Sequence, residues 1–185
     1  MTTTQQAIDT KYDYYLALRD EKLKTLFSPV ILGWARQNGL NTFEDMVNYV
    51  GTLDFSSRHL KTLNGLDLLK ALKSLYLANN QLTDVGDLSG LTALTQLHLY
   101  NNQLTNIGDL SGLTALTYFY LYNNNFATAQ VDKVLADMHA AYDATGKIAT
   151  IDLSGATMGI PTDGVNNADY VYLTNAGVSV TIRTA

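Results

Sequence analysis

The side chains in this chain best equipped for specific contact are aromatic: Tyr76, His98, Tyr100, Tyr118, Tyr120 and Tyr122, with Gln96 among them. Tyrosine offers a wide apolar surface at small entropic cost and a hydroxyl that donates or accepts, so the chemistry these residues suit is recognition. Acid–base chemistry is poorly provided for. His59, His98 and His139 are far apart in sequence and share no triad-like setting. Gly86-Asp87 and Gly108-Asp109 are not followed by the Lys-Ser/Thr pair of a phosphate-binding loop. Asp84, Asp87 and Asp109 fall in turns where Asp is locally favoured, and they fall short of the roughly six to eight oxygen ligands that calcium takes. No catalytic residue, no metal site and no cofactor is expected.

The elements that must present the aromatic residues are repeats. Leu72–Ala93 and Leu94–Ala115 are consecutive 22-residue blocks that agree at 16 of 22 positions. Four of the differences, Lys73/Thr95, Ser74/Gln96, Tyr76/His98 and Ala78/Tyr100, lie in the first seven residues of the block. A fixed frame with one variable stretch preserves a scaffold and changes a surface. The pattern L-x-x-L-x-L-x-x-N-x-L runs through Leu72, Leu75, Leu77, Asn80 and Leu82, and again through Leu94, Leu97, Leu99, Asn102 and Leu104. It recurs through Leu116, Phe119, Leu121, Asn124 and Phe126. One period earlier, Val50, Leu53, Phe55 and Leu60 form a degenerate coil with Arg58 in the Asn position; after an insertion, Ile148, Ile151, Leu153 and Met158 match with Ala156 there.

The alternation around Leu75 and Leu77 is that of a strand with one buried face, and no single coil can bury its leucines alone. Asn80, Asn102 and Asn124 fall where the chain leaves the strand and buried backbone groups need partners. Alternation puts Thr52, Asp54 and Ser56, then Ser74, Tyr76 and Ala78, then Gln96, His98 and Tyr100 on the solvent side. Tyr118, Tyr120 and Tyr122, then Thr150, Asp152 and Ser154, continue the series. With parallel strands about 4.8 Å apart, the aromatic cluster covers roughly 10 by 13 Å, the size of a hot-spot core. Asp54 and Asp152 stand about 19 Å apart by the same spacing, too far for paired acid–base work.

The 22-residue period resembles the leucine-rich repeat family, most of all the subclass found in internalins and phosphatase-regulating repeats. The resemblance is strong over 50–126, weaker over 148–185 and absent from 1–49. It implies an α/β fold: a right-handed solenoid with a short parallel sheet on its concave face, an Asn ladder at Asn80, Asn102 and Asn124, and a bacterial or phage source. It also implies a non-catalytic module that binds a protein partner through the concave face.

The ends depart from the repeat. Ile8, Tyr12, Tyr15, Leu16, Leu18, Leu23, Leu26 and Phe27 give residues 1–49 a broad helical apolar face, with helix starts at Ser28-Pro29 and Thr42. Trp34, Phe43, Met46 and Tyr49 are expected against the first coil. The segment reads as an N-terminal cap or as an attachment and oligomerisation module. The solenoid occupies 50–185, with coils at about 50–71, 72–93, 94–115, 116–147 and 148–177 and a last strand at 178–182. Val131, Val134, Leu135, Met138, Ala141 and Tyr142 mark a helix ending near Gly146, with Thr128 as a candidate cap and His139 on its surface. A terminal α/β coil follows, with a helix over 168–175 and a strand whose Val178, Val180 and Ile182 face in.

The net charge of −5 argues against nucleic acid, which needs clustered Lys and Arg. No apolar run approaches the roughly 18–20 residues of a membrane span, and MTTTQQAIDTKYDYY lacks the basic-then-apolar order of a classical secretory signal. The expected location is therefore cytoplasmic or on an assembled particle. Besides protein binding, two roles stay open. One is a virion or assembly part that docks by its N-terminal helices, and the other is glycan binding through Tyr and Asn rows.

Overall fold

The computed structural model describes residues 23–155, 159 and 161–182, and the chain divides into two units, Met1–Val47 and Asn48–Ala185. The helical face expected through Ile8, Tyr12, Tyr15, Leu16 and Leu18, and the repeat positions assigned to Ala156 and Met158, lie outside the described residues.

In the first unit, α1 (Pro29–Gln37) has its proline at the start, where the missing N–H costs no helical bond. Its Ile31, Leu32 and Ala35 are buried. Ser28 precedes it without capping it: the hydroxyl makes no bond to the helix. α2 (Phe43–Val47) starts at a reciprocal cap, in which the Asp45 N–H donates to Thr42 Oγ1 at 3.0 Å and the Thr42 N–H donates to Asp45 Oδ2 at 2.8 Å. Met46 is buried, whereas Phe43 is 42% exposed, with its ring 6.3 Å from that of Phe27.

The second unit is built on one parallel sheet of six strands in chain order: β1 (Thr52–Asp54), β2 (Ser74–Tyr76), β3 (Gln96–His98), β4 (Tyr118–Tyr120), β5 (Thr150–Leu153) and β6 (Ser179–Ile182). Leu53, Leu75, Leu97, Phe119, Ile151 and Val180 pair in one continuous register. The first five of these are fully buried, because each coil covers the leucines of the next. The return segments close by single turns, in which the N–H groups of Leu72, Leu94 and Leu116 donate three residues back to Leu69, Leu91 and Leu113. Those turns tuck Leu72, Leu94 and Leu116 into the core. Val50 holds the equivalent position in the first coil but follows α2 instead of a return turn, and it is 64% exposed, so it is not the core residue its spacing implied.

Two of the return segments in the last coils are helical. α3 (Thr128–Thr145) buries Val131, Val134, Leu135, Met138 and Ala141, and it stops at Gly146, whose φ of 65° only glycine adopts freely. Ala127, not Thr128, is the cap position of α3, and Thr128 is its first helical residue. α4 (Ala168–Asn175) is capped by Asn167, whose side chain accepts from the N–H groups of Asp169 and Tyr170. Among the described residues no helix is long and apolar enough to cross a membrane.

Candidate functional site

The frame beneath the aromatic residues is held by buried amides. The Asn102 Nδ2 group donates to the carbonyls of Leu77 at 2.9 Å and Leu99 at 3.0 Å, while its Oδ1 accepts from the Leu82 N–H at 3.1 Å. Asn124 does the same one coil later for Leu99, Leu121 and Leu104. Asn80 serves Phe55 and Leu77, and its Oδ1 accepts from the N–H groups of both Arg58 and Leu60. Each Asn thus ties two adjacent coils and fixes the strand ends that carry the surface residues.

On this frame, Asp54, Tyr76, His98, Tyr120 and Asp152 form one outward register across five strands. The His98 ring sits between two tyrosines, its centroid 4.5 Å from Tyr76 and 4.8 Å from Tyr120, the latter edge-on. In the next row, the rings of Tyr100 and Tyr122 stack at 4.5 Å with 7° between their planes. The Tyr76 hydroxyl donates to Gln96 Oε1 at 2.6 Å, bridging neighbouring strands. Tyr118, paired with Gln96 in register, is the most open of the group at 41% exposed. The structure therefore brings Tyr76, Gln96, His98, Tyr100, Tyr118, Tyr120 and Tyr122 together on one face of three adjacent strands.

Two members of that face are not available to solvent. Ser74 and Ala78, expected outside by alternation, are buried. Both side chains are short, and Ser74 pairs in register with Gln96, whose Oε1 also takes the Tyr76 hydroxyl bond.

Burial lowers the pKa of His98 below the ordinary imidazole value, because its charged form loses hydration; the field of Asp54 opposes this. At neutral pH its ring is uncharged. Burial also raises the Tyr122 hydroxyl, with Tyr100 and the negative charge of Asp152 adding to the effect. The return-turn carboxylates are engaged locally. Asp87 and Asp109 accept from the N–H groups of Ser89 and Ser111, which pulls both carboxyls down, and Asp84 accepts from the Gly86 N–H. The three histidines occupy separate settings: His59 is exposed in the loop after β1, His98 lies in the sheet, and His139 lies on α3.

Two features escaped the sequence reading. Asn79, Asn101 and Asn123 all have φ between 54° and 56°, and their side chains form a second, outer amide chain at 2.7 and 2.8 Å. The doubled Asn-Asn in every repeat was the available signal, since Asn tolerates left-handed backbone better than most residues. Ser57 and Gly155 hold the same backbone position at the two ends of the row. The second feature is His139, which is not a simple surface residue. Its Nδ1 lies 2.6 Å from Asp169 Oδ1, and its ring stacks on Tyr172 at 3.8 Å, joining α3 to α4. Nothing in the spacing announced that contact, because the partner is 30 residues away.

A family profile described as "Leucine Rich repeats (2 copies)" matches residues 70–111 and 92–131. Among solved structures, an internalin (inlF) from Listeria monocytogenes is similar at 23% identity with a TM-score of 0.60, over 82% of this chain and 40% of that one. An internalin C2 (inlC2) from the same species is 21% identical over 77% of this chain and 84% of that one, with a TM-score of 0.37. No curated protein sequence gives a match. The chain spans less than half of the first internalin, and the likeness at this identity concerns the fold. The repeat profile, the unbroken parallel sheet and the amide ladder agree: residues 70–131 are leucine-rich repeats within a leucine-rich-repeat solenoid fold.

Proposed function

We propose that this protein is a non-catalytic binding module whose partner is a protein, received on the outward face of the sheet. One observation carries the reading: adjacent coils keep their frame and change the residues that build an aromatic cluster on that face. Tyr76, His98, Tyr118 and Tyr120 sit on strands in fixed register, and Tyr100 and Tyr122 stack just beyond two strand ends, so little ordering entropy is lost when a partner covers them. The rings already stack on one another, which preorganises a contact centre. That centre is smaller than the roughly 800 Å² a standard partner covers, so the rim must include flanking strands such as β1 and β5. Repeat proteins of similar fold are commonly interaction modules, which supports the reading by analogy alone.

The test is comparative capture from a lysate of the source organism. The bait proteins are the wild type, a Tyr118→Ser/Tyr120→Ser/Tyr122→Ser variant, and a return-turn control carrying Asp87→Ser and Asp109→Ser. The tyrosine variant is expected to lose partners that both other baits retain, while all three unfold at similar denaturant concentrations. Equal recovery by all three baits would remove the assignment of this face.

A further inference from the structure

The outward register that carries Tyr76, His98 and Tyr120 has a carboxylate on either side of them, Asp54 on β1 and Asp152 on β5, before it runs on to Thr181 on β6. Across β1–β5 the three outward columns, starting at Thr52, Asp54 and Ser56, contain no Lys or Arg among the described residues. His98 adds no positive charge at neutral pH, for the reason given above. Across β1–β5 the face is therefore aromatic at its centre and negative on either side of it.

The two carboxylates are placed alike. Asp54 Oδ1 accepts from the Ser56 N–H at 2.9 Å, and Asp152 Oδ1 accepts from the Ser154 N–H at 3.0 Å. That bond fixes each side chain beside its strand and leaves Oδ2 without a hydrogen bond among the described residues. Both charges reach the aromatic groups electrostatically, Asp54 acting on His98 and Asp152 on Tyr122. A cation over a tyrosine face gains from the ring quadrupole, and Arg adds planar stacking and a forked match to carboxylate. An acidic segment would meet only repulsion there.

Resting on the protein-binding reading, we propose that this face receives a basic segment of the partner, with Arg or Lys side chains over the tyrosine rings and paired with Asp54 and Asp152. The carboxylates are four strand spacings apart, about 19 Å, which an extended chain crosses in roughly six residues. The best ligand thus carries two cations about six positions apart.

The experiment is an NMR titration of the full chain with a capped peptide of two arginines separated by five serines, alongside the same peptide with glutamines or glutamates in place of the arginines. Saturable shifts are expected at β1–β5 outward residues with the arginine peptide only. Asp54→Asn with Asp152→Asn keeps the Oδ1 acceptors and should weaken binding roughly three- to tenfold, as two exposed ion pairs allow. The Asp87→Asn/Asp109→Asn pair should not weaken it. Equal response to the glutamine peptide, shifts centred on the return turns at 84–89 and 106–111, or no saturable response would each overturn the proposal. If lysate capture still depends on the tyrosines while the arginine preference is absent, the protein-binding reading survives and only this inference falls.

Discussion

From β2 to β4 each coil returns in 22 residues (75 to 97 to 119), whereas 32 residues separate Phe119 from Ile151 and 29 separate Ile151 from Val180. The short coils leave no room for a helix on the return side. Their strand ends are joined by buried Asn side chains, which replace the backbone partners that a tight turn cannot supply. The longer coils return through α3 and α4, which satisfy most of their own backbone. There the coils are joined through carboxylate side chains. Asp132 accepts from the Thr162 N–H at 2.8 Å and from Asn167 Nδ2 at 3.1 Å. Asp143 accepts from the Tyr172 hydroxyl at 2.5 Å, and His139 meets Asp169. A repeated problem with a repeated geometry is met by a repeated residue, and an irregular geometry by pairs found once each.

The comparison breaks most visibly at Asn102. Truncation to Ala strands the Leu82 N–H inside the coil, at about 1–3 kcal/mol, and takes one of two amide donors from each of the Leu77 and Leu99 carbonyls, at about 0.5–1.5 kcal/mol each. Partial relaxation should bring the loss to about 2–4 kcal/mol, read as a lower urea midpoint with an unchanged slope. A loss under about 1 kcal/mol would mean the amide ladder is not what holds the short coils.

Asn167→Ala is the matching probe of the terminal coils. It removes the cap of α4 and the bond to Asp132, a change of about 0.5–2 kcal/mol by the usual worth of such caps. Its effect should stay local. Amide exchange should quicken across α4 and leave β2–β4 protected, because no ladder carries the loss into neighbouring coils. Faster exchange in β2–β4 would show that the two regions are one cooperative unit.

What the sequence disclosed follows the same division. The leucine positions and the inner Asn row were legible because identical residues recurred at a constant step, and a step of 22 converts directly into register. The aromatic face was legible as a direction, since alternation says which way a side chain points. It says nothing of neighbouring height, so the burial of Ser74 and Ala78 was missed. Val50 shows that a matching position is not a matching environment when the preceding turn differs. The contacts of His139, Asp132 and Asn167 could not be read at all, because each is a single tertiary meeting with no period behind it.

The smallest expected effect separates the two histidines these regions contain. His98 is enclosed by rings on the sheet, whereas His139 faces carboxylates between helices. Because burial depresses the His98 pKa below the ordinary imidazole value of about 6.5, the unfolded chain binds more protons than the folded one between those two values. Stability from this site is therefore complete above about pH 6.5, declines as the pH falls through the window beneath it, and levels off below the folded-state pKa. His98→Gln removes that slope, so the gap between variant and wild type should narrow on acidification, measured by urea unfolding across pH 7 to 5 as a change within about 1 kcal/mol. Because Asp54 opposes the shift, Asp54→Asn in the wild-type background should steepen the decline. Parallel pH profiles for wild type and His98→Gln would mean that the ring is as well hydrated as in the unfolded chain, and that the tyrosines on either side do not form a closed aromatic surface.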